Sequence, residues 1–301
     1  MTPERPGTGL AFLDPDLFPG PWLGGGVKDL AHVPLWRKVA RSAALVVVLV
    51  FLLGGGFVLI FEDRFIYFPT REELGRSPGE DVFLTTSDGV KIHGWYVPNP
   101  EAKLTLLYFH GNAGHIGDRR GFIEDLRRLP ANVFALDYRG YGRSEGSPDE
   151  AGLYRDARAA YDWLLTRTSA ERIVVLGKSL GGGPACELAS TVPVGGLIVQ
   201  SAFTSAKDMA RRVMPLFPAR WFMRTSYDNL SKVGKIACPK LFIHGRRDEI
   251  VPFEMAERLF EAAAAPKEKA WYERGDHNGL IDAHAEEYRD LLRAFLVKIG
   301  G

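Results

Sequence analysis

From residue 81 onward, the chain alternates short runs of β-branched and aromatic residues with longer amphipathic runs. Because parallel strands must be joined by crossover connections, usually helices, this alternation is typical of a mostly parallel sheet with helices on both faces. We predict an α/β fold with an eight-stranded, mostly parallel sheet. The strands are expected at residues 81–85, 91–96, 104–109, 132–137, 172–176, 196–200, 240–243 and 269–272. The helices are expected at residues 117–129, 149–166, 180–190, 253–264 and 283–299.

The overall composition excludes several classes of protein. The 301 residues are 46 % hydrophobic and 25 % charged, which is ordinary for a globular protein and unlike a collagenous or disordered chain. Lys and Arg total 38 against 37 Asp and Glu, which leaves a net charge of +1. Since no overall positive field exists to hold a polyanion, nucleic acid is not an expected partner. Cys186 and Cys238 lie in apolar segments, where buried free thiols are expected rather than a metal site.

One stretch departs from this composition. Residues 42–61 form a run of 20 residues without a charged side chain, and about 20 residues are what a helix needs to cross a bilayer. The apolar part of a cleaved signal peptide is shorter, at about 7–15 residues, and a core helix normally carries polar residues on one face. We therefore predict a transmembrane helix and a lipid bilayer as a partner. A signal peptide, a buried core helix and a central strand are the alternatives.

The apolar stretch divides the chain into three parts. Residues 1–41 are rich in Pro and Gly before Trp36, show no periodicity, and are predicted to be a flexible tail. Residues 62–301 contain the predicted strands and helices and are predicted to form one α/β domain. Basic residues crowd the N-terminal side of the apolar stretch, whereas only Arg64 lies equally near its other end. The positive-inside rule therefore predicts a single-pass protein with a cytoplasmic N-terminus and its domain on the opposite side.

Two G-x-S-x-G pentapeptides occur, at residues 142–146 and 177–181. Such a motif presents a nucleophilic serine where a buried strand leads into it and a helix follows. Ser179 follows the predicted strand 172–176 and precedes a helical segment, whereas Ser144 has loop sequence on both sides. We therefore predict Ser179 as the nucleophile.

A serine hydroxyl needs a base, and the base is commonly a histidine held by an acid. Asp248 lies in the loop after the seventh predicted strand, and His277 lies in the loop after the eighth. Since the carboxyl ends of parallel strands meet at one edge of a sheet, we expect both side chains to converge on Ser179. Glu249 is the alternative acid, while Asp276 is adjacent to His277 and badly placed to reach its Nδ1 atom.

An acyl-transfer site also needs two backbone N–H groups to hold the oxyanion. The N–H of Leu180, directly after the nucleophile, is the first prediction. The second comes from the loop after the third strand, where we predict Asn112, with Ala113 as the alternative. His110 in the same loop is predicted to fix the loop rather than to take part in catalysis.

Residues 203–237 are too many for a simple connection and are predicted to form a lid. The methionine and aromatic side chains of this segment suit an adaptable contact with an acyl chain. Met214, Phe217 and Trp221 are therefore predicted to bind substrate. Packing on the sheet, or contact with the bilayer beside the apolar helix, are the alternatives.

Five motifs lie near the ends of the predicted strands: His110-Gly111-Asn112-Ala113, the segment from Asp137 to Ser144, Gly177-Lys178-Ser179-Leu180-Gly181-Gly182, His244-Gly245 with Asp248, and Gly275-Asp276-His277-Asn278. Together they resemble the α/β-hydrolase superfamily over about residues 61–296. More narrowly, they resemble its single-pass membrane-anchored branch, which is similar to protein depalmitoylases and to serine-aminopeptidase-like hydrolases. Depalmitoylase relatives carry N-terminal palmitoylated cysteines, whereas no cysteine precedes Cys186 in this chain.

The sequence thus predicts a membrane-anchored serine hydrolase that cleaves a carboxylic ester or thioester of a small-molecule or acylated substrate through an acyl-enzyme. The triad would be Ser179, Asp248 and His277, and neither a cofactor nor a metal is expected. The alternatives are an amidase or peptidase with the same three residues, and a non-catalytic binding module of the same fold.

The two pentapeptides are distinguished by a pair of substitutions. We expect Ser179→Ala to abolish labelling by a fluorophosphonate and ester turnover, because the reagent needs the activated hydroxyl. Ser144→Ala should leave labelling largely intact. Loss of labelling in a folded Ser144→Ala protein, with labelling retained in Ser179→Ala, would reverse the assignment.

Overall fold

A computed structural model of the chain describes residues 34–71 and 75–301. Most of the predicted tail, residues 1–33, lies outside the described residues. The chain divides into two compact units, residues 1–51 and residues 52–301. The larger unit contains the sheet and every predicted site residue.

An eight-stranded sheet is the centre of the larger unit. Its strands are β1 (Glu80–Thr85), β2 (Lys91–Val97), β3 (Leu104–Phe109), β4 (Ala131–Asp137), β5 (Ile173–Lys178), β6 (Gly196–Gln200), β7 (Lys240–Gly245) and β8 (Lys267–Tyr272). Their spatial order is β1-β2-β4-β3-β5-β6-β7-β8. Strand β2 runs antiparallel to both of its neighbours, and the other pairs are parallel. The predicted fold class is therefore confirmed.

The helices after the first are α2 (Arg120–Leu126), α3 (Glu150–Leu165), α4 (Gly182–Thr191), α5 (Ala206–Val213), α6 (Leu230–Val233), α7 (Phe253–Ala262), α8 (Leu280–Ala283) and α9 (Ala285–Gly300). Successive residues of a strand pack on opposite faces of the sheet. Leu107 belongs to a buried cluster with residues of α3 and α4, whereas Leu106 belongs to a cluster with residues of α2 and α9. The sheet is thus covered on both faces, which explains the continuous apolar sequence of its central strands.

The centre of the sheet positions the candidate site. Strands β3 and β5 are parallel neighbours, with Phe109 opposite Gly177. The loops that leave these two strands therefore start side by side. One carries Asn112 and the other carries Ser179. A short parallel pairing of Phe68–Pro69 with Ala113–Gly114, which the sequence did not predict, holds the first loop from its other side.

Helix α1 (Leu35–Ile66) contains the predicted transmembrane stretch and extends beyond it at both ends. It is long and apolar enough to cross a membrane by length and composition. Residues 35–41, which the sequence analysis placed in the tail, are part of this helix. They are mostly good helix formers such as Leu, Arg, Lys and Ala, so the helix continues through them at little cost.

Hydrogen bonds join the C-terminal end of α1 to the segment 203–237. The carboxylate of Glu62, only 4 % exposed, accepts hydrogen bonds from the backbone N–H of Arg224 at 3.0 Å and from Arg224 Nε at 3.0 Å. The backbone N–H and Oγ1 of Thr225 donate to the same carboxylate at 3.3 and 3.2 Å. A buried carboxylate requires such partners, so this contact joins the two elements.

We expect Glu62→Ala to lower the free energy of unfolding by about 2–3 kcal/mol, because it leaves the buried donors of Thr225 without an acceptor. The matched control is Asp63→Ala, which removes an exposed ion pair with Arg224 and should cost less than about 1 kcal/mol. Thermal unfolding of the full chain in detergent measures both. Equal shifts for the two variants would contradict the structural role of Glu62.

Candidate active site

Ser179 occupies a strained turn between β5 and α4. Its backbone φ of +53° lies in the left-handed region, which costs a non-glycine residue about 1–2 kcal/mol. The turn is also tightly enclosed, because a Cβ atom on Gly181 would overlap the carbonyl oxygen of Phe109, and one on Gly177 would overlap Ala185. These contacts explain why the motif has glycine on both sides of the serine.

Ser179, His277 and Asp248 form one continuous hydrogen-bonded chain. The Nε2 atom of His277 lies 3.1 Å from Ser179 Oγ, and its Nδ1 atom lies 2.7 Å from Asp248 Oδ2. All three residues are buried. When Nδ1–H donates to the carboxylate, Nε2 is left as the acceptor for the serine hydroxyl. The structure thus brings together the three residues that the sequence selected.

Asp248 is held in its ionised form. Burial alone would raise the pKa of its carboxyl, but hydrogen bonds from His244 and His277 and from the backbone N–H of Val251 keep that pKa well below its usual range. The N–H groups of Ile250 and Val251 donate to Oδ1 at 3.0 and 2.7 Å. Asp248 is therefore a carboxylate throughout the neutral pH range and can stabilise an imidazolium.

His244 is a neighbour whose contact with this acid the sequence did not reveal. Its Nε2 atom donates to the carbonyl oxygen of Val251 at 2.9 Å and lies 3.2 Å from Asp248 Oδ2. His244 thus fixes both the loop that carries Asp248 and the carboxylate itself. The spacing could have indicated this contact, because His244 is the next-to-last residue of β7 and lies four residues before Asp248.

The alternative acids have other partners. Glu249 accepts a weak hydrogen bond from the backbone N–H of His277 at 3.4 Å. Asp276 accepts one from the backbone N–H of Gly279 within its own loop. Within residues 34–71 and 75–301, no group of three or more His, Cys, Asp or Glu side chains is arranged to hold a metal ion.

Ser144, in the second pentapeptide, has a structural position. It is buried, its Oγ donates to the carbonyl oxygen of Asp137 at 2.8 Å, and it accepts from the backbone N–H of His93 at 2.8 Å. The hydroxyl therefore joins β2 to the loop after β4. Both of its contacts are with backbone atoms.

The loop that carries Asn112 lies directly against the nucleophile. A Cβ atom on Gly111 would be 3.6 Å from Ser179 Cβ, which is ordinary van der Waals contact. The side-chain Oδ1 of Asn112 accepts from the backbone N–H of Phe68 at 3.1 Å. Asn112 and Leu180 line the same cavity as Ser179 and His277. The two residues predicted to form the oxyanion hole thus flank the serine.

His110 lies behind this loop and is fully buried. Its Nδ1 atom donates to the carbonyl oxygen of Gly111 at 2.6 Å, and its own carbonyl oxygen accepts from the hydroxyl of Tyr138 at 2.8 Å. Its Nε2 atom lies 3.5 Å from Asp137 Oδ1. These contacts match the predicted loop-fixing role.

A cavity of about 770 Å³ begins at Ser179 and His277. This volume falls in the usual range for small-molecule sites. Most of its lining is apolar and comes from two elements, the C-terminal part of α1 and the segment 203–237. The main apolar contributors are Phe57, Val58, Phe65, Ile66, Met209, Val213, Met214 and Met223.

The predicted substrate-binding residues separate into two groups. Met214 lines the cavity, whereas Phe217 and Trp221 are not among its lining residues. The ring of Phe217 packs against Gly54 of α1 and stacks on Phe222, with centroids 5.9 Å apart. Trp221 is 66 % exposed. Of the three residues predicted to bind substrate, the structure thus places only Met214 on the cavity wall.

Comparisons with known proteins agree with this architecture. A family model described as the alpha/beta hydrolase fold matches residues 105–224. The uncharacterised protein Rv2307c of Mycobacterium tuberculosis is 34 % identical, over 87 % of this chain and 98 % of its own length. The alpha/beta hydrolase domain-containing protein WAV2 of Arabidopsis thaliana is 35 % identical, over 70 % of this chain and 79 % of its own. The solved structure of the Pyrococcus furiosus esterase Pf2001 is 25 % identical, covers 78 % of this chain and 99 % of its own, and has a TM-score of 0.69.

The contact between Asp248 and His277 is tested by Asp248→Asn. We expect kcat for an activated ester to fall by about 10⁴-fold, the loss produced by the same change in a serine protease, because an amide no longer holds the imidazole in the required tautomer. The matched control is Asp276→Asn, next to His277, which should change kcat by less than tenfold. A larger loss in the control would transfer the orienting role to Asp276.

Proposed function

Because the chain belongs to the α/β-hydrolase family, we propose that it is a serine hydrolase that cleaves a carboxylic ester or thioester with an apolar acyl chain. The observation that carries this proposal is the hydrogen-bonded chain of Ser179, His277 and Asp248 at one end of an apolar cavity. The similarity to an esterase of Pyrococcus furiosus supports ester hydrolysis as the reaction.

In the proposed reaction, His277 Nε2 takes the proton of Ser179 as Oγ attacks the substrate carbonyl carbon. The backbone N–H groups of Leu180 and Asn112 would stabilise the negative oxygen of the tetrahedral intermediate. The bond to the leaving alcohol or thiol then breaks, and His277 returns the proton to it. Water attacks the acyl-enzyme with His277 again as the base, which releases the acid and restores Ser179. Asp248 stabilises the imidazolium in both steps.

The test is a panel of substrates with one acyl chain and different leaving groups. The purified full chain should hydrolyse esters or thioesters and should be inactivated by one equivalent of fluorophosphonate bound at Ser179. Anilides of the same acyl groups are included because the same three residues serve amidases. Hydrolysis of anilides alone would overturn the proposal. The absence of any turnover in a folded, fluorophosphonate-resistant protein would favour a binding module.

We further propose that α1 anchors the protein in a membrane, with the N-terminus in the cytoplasm and residues 62–301 on the opposite side. A core helix would bury its apolar side chains, whereas Leu45, Leu53 and Ile60 are 59, 72 and 71 % exposed. Burying such surface in hydrocarbon gains about 25 cal/mol per Å². Resistance to carbonate extraction tests the anchor. Reporter fusions at both ends test the orientation, and a C-terminal reporter active only in the cytoplasm would overturn it.

The acyl-binding role of the cavity is tested at Met209, which lines it. We expect Met209→Gln to lower kcat/KM for dodecanoyl esters while leaving butanoyl esters nearly unchanged. Each methylene that loses its apolar contact costs about 0.8 kcal/mol, or roughly fourfold. Arg211→Gln, a nearby change on the same helix outside the cavity lining, is the control. An equal loss on both chain lengths would indicate that Met209 does not contact the acyl chain.

A further inference from the structure

The segment 203–237 presents large apolar side chains to the outside of the molecule. Val213 is 72 % exposed, Leu216 is fully exposed, and Met214 and Trp221 are 41 and 66 % exposed. We name these four residues the outer lid face. The surfaces of soluble proteins rarely carry such groups of large apolar residues unless these residues contact a partner protein or a membrane.

Other residues of the segment 203–237, which we call the lid, pack on the helix proposed as the anchor. A Cβ atom on Gly54 would overlap the ring of Phe217, and one on Gly55 would overlap the ring of Phe222. The two glycines therefore allow both rings to approach the helix backbone closely. Beyond them, Glu62 of the same helix bonds to Arg224 and Thr225. The lid is thus fixed to α1 at two levels along the helix.

The contacts at these two positions along α1 determine how deep the lid would lie in a bilayer that α1 spans. The apolar stretch of α1 ends at Phe61, and Gly54 lies seven residues before it. At 1.5 Å per residue, the contact with Phe217 lies about 10 Å along the helix from that end. Interfacial segments bury their apolar face about 5–10 Å into the boundary between headgroups and acyl chains. A helix that spans the bilayer with this stretch would place the lid at that depth.

The basic residues of the lid are also typical of a membrane interface. Arg211 and Arg212 lie in the last turn of α5, immediately before Val213, and both are exposed. The guanidinium of Arg220 lies 5.9 Å from the ring of Trp221. Basic residues that border apolar and aromatic residues are typical of segments that lie in a membrane interface, where the long side chains reach the headgroups.

The outer lid face and the wall of the catalytic cavity share residues. Val213 and Met214 line the cavity and are also exposed to solvent, and Phe57 of α1 lines it with 50 % exposure. These three side chains therefore border both the cavity and accessible surface. They are the residues that an acyl chain in the surrounding lipid would meet on its way into the cavity.

We propose that the outer lid face lies in the bilayer leaflet beside α1, and that acyl substrates enter the cavity from this leaflet. The inference rests on the membrane anchoring proposed above. It identifies the substrate class as a lipid-resident acyl ester or thioester rather than a water-soluble one.

The depth of the lid is measured with a fluorophore. A variant of the chain carries Leu216→Cys together with Cys186→Ala and Cys238→Ala, so that its one thiol is at residue 216. This thiol is labelled with nitrobenzoxadiazole, and the protein is placed in phosphatidylcholine vesicles. The matched control is Glu171→Cys, which is exposed just before the amino end of β5, at the sheet edge opposite Ser179. We expect lipid with nitroxide on its acyl chain to quench the label at residue 216 about tenfold more strongly than the label at 171. Fluorophosphonate labelling checks that both proteins are folded.

Two results are distinguished. Equal quenching at residues 216 and 171, in a chain that resists carbonate extraction, would overturn the lid placement and leave the anchor intact. Extraction of the chain by carbonate would overturn the anchor and the lid placement together. Neither result depends on ester turnover, so the proposed chemistry is judged separately.

The entry route is measured by activity. Leu216 does not line the cavity, so Leu216→Asp should leave turnover of a soluble butanoyl ester unchanged. Turnover of a long-chain ester embedded in vesicles should fall by about tenfold, because a carboxylate resists insertion into the leaflet. A matched change outside the lid, Leu165→Asp on α3, should affect neither substrate. Equal turnover of the embedded ester by wild type and Leu216→Asp would overturn entry from the leaflet.

Discussion

The left-handed backbone of Ser179 is the constraint on which the remaining geometry depends. Its cost of about 1–2 kcal/mol is offset because the buried strand β5 and helix α4 fix the turn from both sides. The absence of a Cβ atom at Gly181 lets the turn approach the end of β3, and its absence at Gly177 lets α4 pack closely on β5. This approach sets the hydroxyl beside the loop of Asn112 and at the edge where β7 and β8 deliver Asp248 and His277.

The parts of this arrangement that follow from local rules were predictable from the sequence. Strands buried on both faces have continuous apolar sequences, so β3 and β6 were predicted with their observed bounds, and β5 was predicted one residue early at its start and two residues short at its end. The order of elements around Ser179 separated it from Ser144. Since parallel strands deliver their loops to one edge, the positions of Asp248 and His277 followed from strand order alone.

Other parts of the site depend on tertiary contacts that the composition of a segment does not indicate. An apolar side chain on α1 has the same sequence signal whether it faces lipid or a cavity, so Phe57 and Ile66 were not assigned to the site. Glu62 resembled an ordinary charge at a helix end, although it is buried against Thr225. Aromatic residues such as Phe217 fit a core, a cavity or an interface equally well by chemistry. Only packing against Gly54 decides between these places.

We propose that Ser179 reacts with an acyl group whose chain lies between α1 and the lid. A fluorophosphonate that carries a long alkyl chain with a terminal diazirine tests both parts in one molecule. After reaction, irradiation and proteolysis, mass spectrometry should find the phosphonate on Ser179 and the alkyl end attached within residues 57–66 or 209–223. Attachment of the phosphonate to another residue, or of the alkyl end elsewhere on the chain, would contradict the account.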